Sequence, residues 1–259
     1  MDEKEYQGHF SEIYPEAAYS FDVRERKAHT MLAVLKNFLK EDLKRLRLLD
    51  LGSSTGAIAY YLANHFGQVI GADIDGGAVN FATENFHKAN LKFALIDGMN
   101  LAIRDSVFDV VIWAHIYEHV PDAKRVLGEI RRVLRPGGIC YFAADNRLQV
   151  WEPHHRLPFL SWLPRPMSHL YLRLAGRGNA YQEKLVTYES LRVLVREFLV
   201  VDYTPKIVRS PTLFCADYML AEGSLKHKLA NWAIKYAYGL FPGYIWLLQK
   251  TEKGSGARG

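Results

Sequence analysis

The sequence is poor in cysteine and has no long apolar run, and each absence excludes a class of protein. Its two cysteines, Cys140 and Cys215, have no ligand-like spacing, so we expect neither a disulfide framework nor a cysteine–zinc site. No apolar stretch reaches the roughly 18 residues that predict a membrane-spanning helix. The opening residues, MDEKE, are charged, unlike a secretory signal. We therefore expect a cytoplasmic protein.

The composition is that of an ordinary globular chain. Hydrophobic residues make up 49% and charged residues 24% of the 259 residues, which argues against disorder and allows one good core. The formal net charge of +5 does not by itself indicate nucleic acid, and we expect no nucleic-acid partner. The length predicts a single α/β domain with insertions.

Residues 48–56, LLDLGSSTG, are the stretch around which the chain is organised. An apolar run ends in a glycine turn, and good helix formers follow from Ala57. Gly52 and Gly56 allow a sharp turn and a close approach of a ligand to the backbone. A strand that leads through such a turn into a helix N-terminus points N–H groups at an anionic ligand.

Further apolar strands alternate with helices downstream, which predicts a parallel sheet covered on both faces. Asp73 ends the second strand about 20 residues after Gly52, the distance at which an acid receives ribose hydroxyls in nucleotide-binding α/β units. Asp97 follows the third strand. Because ligands of such sheets lie at the carboxyl ends of the strands, we expect Gly52, Asp73 and Asp97 to meet there. The predicted strands are 46–51, 68–75, 91–96, 107–113, 139–143, 199–203 and 244–248.

These residues resemble the S-adenosylmethionine-dependent methyltransferases with a seven-stranded Rossmann-like fold, particularly their small-molecule branch. The resemblance covers about residues 46–143. It implies an α/β fold with a doubly wound, mostly parallel seven-stranded sheet, helices on both faces and an antiparallel last strand. Inserts would follow strands five and six. The segments that carry it are DLGSSTG (50–56), IGADID (70–75), LIDGMNL (95–101), FDVVIWAHIYEHV (108–120) and EIRRVLRPGG (129–138).

The resemblance also implies S-adenosyl-L-methionine as cofactor and assigns residues to it. The glycine turn would surround the methionine moiety, and Asp73 would bind the ribose hydroxyls. Ile74 would lie against the adenine, with Asp97 near the adenine amino group and Met99 beside the ring. Ser54 departs from the family, which usually has glycine there. Serine is tolerated if the backbone dihedrals are ordinary, and its side chain would narrow the cofactor site. The predicted cofactor-binding residues are Asp50, Gly52, Ser53, Ser54, Gly56, Asp73, Ile74, Asp97, Gly98, Met99 and Ala114.

The sequence also allows three other functions. The first is a zinc peptidase, because residues 115–119 match the H-x-x-E-H zinc pattern. However, Pro121 breaks any long helix and nothing marks a third ligand, so we predict no metal site. An NAD(P)-dependent oxidoreductase is the second; against it, the turn has Ser54 and Ala57 in place of two glycines of G-x-G-x-x-G, and no Tyr-x-x-x-Lys pair occurs. The third is a catalytically inactive adenosyl-binding protein.

An insert at residues 144–186 separates the fifth strand from the next helix and is too long for a simple connection. It is rich in arginine and aromatic residues and leaves the sheet at the cofactor edge, so we expect a lid that binds the acceptor. Arginine recognises phosphate or carboxylate, and aromatic side chains supply an apolar wall. The acceptor would then be a small molecule with an apolar body and an anionic group, such as a lipid-linked or prenylated metabolite. The insert's arginines are Arg147, Arg156, Arg165, Arg173 and Arg177.

If the acceptor is a hydroxyl, an amine or an acidic carbon, a base must remove its proton. His115 is the first candidate because it follows strand four at the cofactor edge, and His154 and His155 come next. Turn or insert packing is the alternative role for all three histidines.

The remaining segments complete the predicted organisation. Residues 1–45 form a helical arm or cap that either packs on the domain or covers the active site, and its main helix is predicted over 28–43. Residues 46–250 form the methyltransferase domain, with a helical insert at 213–240, and 251–259 a disordered tail. Helix 225–240 carries lysines opposite apolar residues, which indicates either a packed core face or a peripheral contact with an anionic membrane surface. We expect a monomer or homodimer.

Overall fold

The computed structural model describes residues 8–251 and shows an α/β fold built on one seven-stranded sheet. A two-stranded ribbon lies apart from it, formed by β6 (Trp151–Glu152) and β7 (Leu157–Pro158). The strands of the large sheet are β1 (Arg47–Leu51), β2 (Gln68–Asp73), β3 (Leu91–Leu95), β4 (Phe108–Ala114), β5 (Leu134–Asp145), β8 (Leu199–Asp202) and β9 (Gly243–Gln249).

The strand order is β3-β2-β1-β4-β5-β9-β8, and the order reverses at β1 and β4. The pairs from β3 to β5 are parallel, whereas β9 runs antiparallel to both β5 and β8. The predicted doubly wound, mostly parallel sheet with an antiparallel last strand is therefore confirmed. Ligands of such sheets bind outside the carboxyl ends of the strands where the order reverses.

Helices cover both faces of the sheet and create two cores. One core receives α6 (Ala123–Val133) and α8 (Tyr188–Leu194), and the other receives α3 (Phe21–Phe38), α4 (Ala57–Leu62) and α9 (Thr204–Arg209). The helices are α1 (Phe10–Ile13), α2 (Pro15–Ala18), α3 (Phe21–Phe38), α4 (Ala57–Leu62), α5 (Gly76–Asn85), α6 (Ala123–Val133), α7 (Arg165–Leu174), α8 (Tyr188–Leu194), α9 (Thr204–Arg209) and α10 (Leu225–Tyr236). Short 3₁₀ turns occupy Leu43–Arg45, Leu160–Trp162, Thr212–Phe214 and Tyr238–Leu240.

The main N-terminal helix differs from the prediction of 28–43, because α3 spans Phe21–Phe38. Its first turns place Arg24 and Lys27 along a cleft rather than in the core, so the apolar periodicity becomes visible only further along the helix. Leu39 takes an extended conformation and ends the helix. The structure places the described part of the arm beside the cleft.

The fifth strand also differs from the prediction of 139–143. β5 already begins at Leu134, directly after α6, and includes the R-P-G-G segment at residues 135–138. Gly137 has a φ of 77°, and the register of β4 against β5 shifts between Phe108 and Val110, so the strand accommodates the irregular backbone as a bulge. Lys250 N donates to the Gly138 carbonyl and Gly137 N donates to the Lys250 carbonyl, which extends the pairing of β5 with β9.

The insert after β5 has a small core of its own, formed by Leu160, Leu172 and Tyr181. It contains β6, β7 and α7, and Tyr117 ties it to the domain. The Tyr117 hydroxyl donates to the Asp145 carbonyl at 2.6 Å and accepts from Val186 N at 3.2 Å.

In the predicted helical insert at 213–240 the structure has one α-helix, α10, which ends at Tyr236 rather than at residue 240. The packed-core interpretation of this helix is wrong, because α10 has no buried residue. Its apolar side chains are more than half exposed: Leu225 by 73%, Leu229 by 58%, Trp232 by 58% and Tyr236 by 63%.

The domain boundaries stay predictions. Residues 252–259 of the predicted tail, and 1–7 of the arm, lie outside the described residues. Across residues 8–251, none of the helices combines the length and apolarity needed to cross a bilayer.

Candidate active site

A cleft of about 1580 Å³ opens at the carboxyl ends of β1, β2 and β4. The predicted strand-end residues line one end of it, and the arm, the insert and α10 line the other. We call these the cofactor end and the acceptor end. The predicted site residues in its wall are Asp50, Gly52, Ser54, Asp73, Ile74, Asp97, Gly98, Met99, Ala114, His115, His154 and His155.

Ser53 and Gly56 are the predicted cofactor residues outside this wall. Both are buried behind it. A Cβ on Gly56 would lie 2.6 Å from the Phe93 ring and 2.8 Å from the Ala82 Cβ, so Gly56 brings the turn close to its neighbours. Its φ of 81° also favours glycine.

The glycine turn departs from expectation at Ser54, whose φ is 48° rather than an ordinary value. A non-glycine residue pays about 1–2 kcal/mol for this left-handed conformation. Two hydrogen bonds offset the cost: Ser54 N donates to Asp73 Oδ2 at 2.6 Å, and Arg24 Nη2 donates to Ser54 Oγ at 3.2 Å.

Asp73 lies at the end of β2, where one carboxylate oxygen bonds to the glycine turn and the other to the backbone that follows β2. Oδ2 accepts from Ser54 N, and Oδ1 accepts from Asp75 N at 2.9 Å. Burial raises the pKa of Asp73, while these backbone hydrogen bonds act against the rise. Each oxygen retains a lone pair that can accept from a ligand hydroxyl.

Asp50 is the buried carboxyl beneath the turn. Burial raises its pKa to about 7, Arg24 acts against this rise, and Asp73 adds to it. Its Oδ2 accepts no hydrogen bond from the described residues. Such an atom is costly in the free protein and available to a positively charged ligand group.

The loop after β3 forms the next part of the wall. Asp97 Oδ1 accepts from Met99 N at 2.8 Å, and Arg125 Nε donates to the Met99 carbonyl at 2.9 Å. These bonds fix the backbone of Met99, which the resemblance places beside the adenine ring.

At the acceptor end, His115 directly follows β4. Its φ of 57° turns the chain, and its Nδ1 lies 3.5 Å from Asp145 Oδ2 at the end of β5. Burial alone would raise the pKa of Asp145, but His115, His154 and Lys27 outweigh it and hold the pKa below its usual value. His115 is 36% exposed to the cleft, so its ring is accessible.

His154 and His155 follow β6 and bond to buried acids. Glu152 Oε1 lies 2.8 Å from His154 Nδ1, and Glu152 Oε2 accepts from His155 N at 2.7 Å. His155 Nε2 lies 3.4 Å from Glu183 Oε2. Burial lowers the pKa of His154, but the bond to Glu152 and the nearby charges of Glu183 and Glu118 outweigh it and raise the pKa to about 9.

Glu118 and His119 lie in the turn after His115, and no helix forms over residues 115–119. Glu118 is fully buried, and burial with the nearby Asp145 charge raises its pKa to about 7. Burial and the charge of His154 lower the pKa of His119 to about 3. The imidazole rings of His119 and His154 are 5.0 Å apart.

Sequence reasoning missed several residues of this cleft, because they meet only in the fold. Arg24 and Lys27 come from the arm, where no motif marks them. Asp145 and Glu152 lie two and nine residues beyond the fifth predicted strand, 139–143, so the carboxyl end of that strand was the available signal.

Of the insert's arginines, Arg156 and Arg177 line the cleft. Arg147 Nε donates to the Ser161 carbonyl and Arg173 Nε to the His169 carbonyl, so these two bind the insert itself. Arg165 is exposed and lies outside the cleft wall.

Comparison with known proteins agrees with this fold. Residues 49–142 match a family model described as a methyltransferase domain. The ubiquinone biosynthesis O-methyltransferase of Rhizobium rhizogenes is 29% identical over 162 residues, covering 60% of this chain and 63% of that protein. The ubiquinone/menaquinone biosynthesis C-methyltransferase of Desulfotalea psychrophila is 32% identical over 96 residues, 36% of this chain and 39% of that protein. The chain thus covers less than two thirds of each relative.

A solved structure extends the likeness over nearly the whole chain. The plantazolicin methyltransferase BpumL, in complex with a pentazolic desmethylPZN analog and SAH, superposes with a TM-score of 0.59 at 16% identity, covering 93% of this chain and 90% of that one. The two proteins thus share their overall fold, and residues 49–142 of this chain are similar to a methyltransferase domain.

Proposed function

We propose that this protein is an S-adenosylmethionine-dependent methyltransferase that acts on a small molecule. The observation that carries the proposal is the continuity of the cleft: the glycine turn and Asp73 lie in one wall, and the His115–Asp145 pair lies in the same space. A cofactor and an acceptor bound there would be neighbours, which is the arrangement that direct group transfer requires.

The cofactor end fits S-adenosylmethionine by its chemistry. Asp73 has lone pairs left for ribose hydroxyls, and Met99, Ile74 and Gly98 offer an adenine an apolar surface. Asp50 Oδ2 offers buried negative charge to a cationic ligand. When bound, the cofactor supplies an electrophilic methyl group on a sulfonium, and the S–CH₃ electron pair returns to sulfur as the acceptor takes the methyl.

We assign the role of base to His115. Asp145 remains ionised because its pKa is lowered, so it orients the imidazole through Nδ1 and stabilises the imidazolium. Nε2 is then left to take the acceptor's proton. His154 and His155 support the insert through Glu152 and Glu183, so as bases they are second to His115.

The acceptor end favours an apolar molecule with an anionic group. Arg156 and Arg177 provide positive charge beside apolar side chains from α1 and α10, such as Phe10 and Leu229. The relatives' names are compatible with this class, since they include enzymes of ubiquinone biosynthesis.

Cofactor binding is the first test. Isothermal titration should give micromolar affinity for S-adenosylmethionine and S-adenosylhomocysteine and none for NADH. Asp73→Ala should weaken binding about a hundredfold, because hydrogen bonds to a carboxylate are worth about 1.5–3 kcal/mol each. The exposed Asp22 supplies a matched control, Asp22→Ala. Binding of NADH alone would favour an oxidoreductase. Adenosyl binding with no turnover on any acceptor would favour an inactive adenosyl-binding protein.

Acceptor specificity is tested with an alkylated hydroxybenzoate as probe and release of S-adenosylhomocysteine as readout. Arg156→Ala should raise the KM for this probe about tenfold with little change in kcat, since it removes charge at the cleft. Arg165→Ala, an exposed arginine outside the cleft, is the control. Equal effects of the two variants would contradict the assignment.

We propose that α10 rests on an anionic lipid surface. Its exposed apolar side chains stand beside Lys226, Lys228 and Lys235, the combination of interfacial helices. Sedimentation with vesicles of phosphatidylglycerol should capture the protein and lose it with Trp232→Ser, whereas phosphatidylcholine vesicles should not. Capture by neither, or unchanged capture of the variant, would contradict the contact. The cytoplasmic location and a monomer or homodimer remain predictions.

A further inference from the structure

The turn after β4 and the start of the insert bring three metal-ligating side chains together at the acceptor end. Glu118, His119 and His154 each offer one ligand atom, and these atoms lie within 4.8 Å of one another. His119 and His154 line the cleft, while Glu118 lies beneath them. We propose that this cluster binds a divalent transition-metal ion, with Zn²⁺ as the best-matched species.

The state of Glu118 is the first argument. Its side chain is 0% exposed, and neither carboxylate oxygen accepts a hydrogen bond from the described residues. Oε1 points toward the imidazole of His119, 3.9 Å from Nε2. Leaving a buried carboxylate without hydrogen bonds is expensive, and native structures avoid it except where a further group satisfies the oxygens. A cation between Glu118 and the two imidazoles would do so.

The orientation of His154 is the second argument. Its Nδ1 lies 2.8 Å from Glu152 Oε1, and Glu152 is itself fully buried and held by His155 N. A carboxylate that fixes one imidazole nitrogen leaves the other, Nε2, as the ligand, and metal-binding histidines almost always have such a partner. Glu152 thus supplies the support that a metal site requires.

The ligand set selects the class of ion. Two imidazoles with one carboxylate suit Zn²⁺ and other first-row transition metals, whereas Mg²⁺ and Ca²⁺ prefer oxygen ligands. Three protein ligands leave a position that faces the cleft. The sequence predicted no metal site because H-x-x-E-H lacked a third ligand. His154, which comes from the insert, supplies that third ligand. The other two ligands are Glu118 and His119, rather than the two histidines of the pattern.

A cation there would lie beside the candidate base and would lower the pKa of an acceptor hydroxyl bound to it. That consequence rests on the proposed methyl transfer, whereas binding of the ion does not. The two can therefore fail separately.

The test uses the full chain after dialysis against EDTA. Titration calorimetry with Zn²⁺ should show one ion per chain, and Co²⁺ should give visible absorption bands that Zn²⁺ removes. Glu152→Gln should weaken Zn²⁺ binding about 10- to 100-fold, as loss of a supporting carboxylate does. Glu118→Gln and His154→Asn should weaken it further and abolish the cobalt bands. His87→Asn, at an exposed histidine that follows α5 and contacts the Glu84 carbonyl, should bind as the wild type does.

Thermal melting and S-adenosylhomocysteine binding show that each variant is folded. Glu118→Gln should not lower the Tm of the metal-free protein, because it removes a buried charge. Absence of Zn²⁺ binding by the wild type, or equal binding by wild type and the Glu118 and His154 variants, would overturn the proposal. Loss of binding in His115→Asn with normal binding in His154→Asn would overturn it as well, because the ion would then lie between His115, Glu118 and Asp145.

Discussion

The two ends of the cleft are built from different kinds of contact. At the cofactor end, neighbouring strand ends bond to one another, as when Asp73 accepts from Ser54 and Asp75. At the acceptor end, segments far apart in sequence meet: Lys184 N donates to the Glu118 carbonyl, and Tyr117 joins Asp145 to Val186. The cofactor end is therefore specified by compact motifs, and the acceptor end by the packing of the insert and the arm. Each of the following variants tests one side of this comparison.

The largest expected effect is at the glycine turn. Gly56→Ala should lower the free energy of unfolding by about 4 kcal/mol, since the methyl group would meet Phe93 and Ala82 at a positive φ. Urea denaturation measures it. Gly128→Ala is the matched control: it lies in α6 with no atom within 4 Å of an added Cβ, and it should stabilise the helix by about 1 kcal/mol. A Gly56→Ala protein as stable as the wild type would contradict the tight turn.

Asp50 should make the stability of the free protein depend on pH. Its folded pKa is about 7, above the ordinary 3.8, so the unfolded chain releases this proton first and stability falls as pH rises from 4 to 7. Asp50→Asn should remove about 2 kcal/mol of that fall between pH 5 and pH 7. Urea denaturation of both proteins at a series of pH values measures the difference. Parallel curves for the two proteins would show that Asp50 is not desolvated.

Tyr117 tests the acceptor end. Tyr117→Phe should cost about 2 kcal/mol, because it leaves the Asp145 carbonyl and Val186 N without the hydroxyl that joins them. Hydrogen exchange should accelerate at residues 184–187 while the amides of β1 and β2 keep their protection. Tyr19→Phe, at a ring that is 38% exposed, is the control. Faster exchange throughout the sheet would contradict an effect confined to the insert.

The smallest expected effect is at Ser54, and it tests the backbone conformation of the turn directly. Ser54→Gly should be about 1 kcal/mol more stable than Ser54→Ala, since both lose the bond from Arg24 but only glycine avoids the cost of a φ of 48°. Urea denaturation compares the pair. Equal stabilities would mean that the turn relaxes when the hydroxyl is removed.

The sequence supports a prediction of the sheet and much of the cofactor end because their signals are local. The strand-end acids Asp73 and Asp97 follow apolar runs at the distances expected for this fold. The predicted start of α3 was wrong because the side chains of its first turns, such as Arg24 and Lys27, line the cleft instead of packing in the core. The role of each cofactor residue remains a prediction.

For the acceptor end, the sequence could predict only which residue types are frequent, not which of them line the cleft. Arginine density in the insert indicated anion binding, but it did not separate Arg156 and Arg177 in the cleft from Arg147 and Arg173, which bond to the insert's own carbonyls. The meeting of Glu118 with His154 depends on how the insert folds back, and no short pattern encodes it.

The position of β9 has a consequence for synthesis on the ribosome. β8 stands at the end of the sheet with β9 as its neighbour, and β9 alone connects it to β5. Strands β1 to β5 can pair as they emerge, but β8 must wait unpaired until residues 243–249 have left the exit tunnel. Its apolar Val200 and Val201 are exposed during that interval, so a nascent chain stalled before residue 243 is the species that we expect a chaperone to bind.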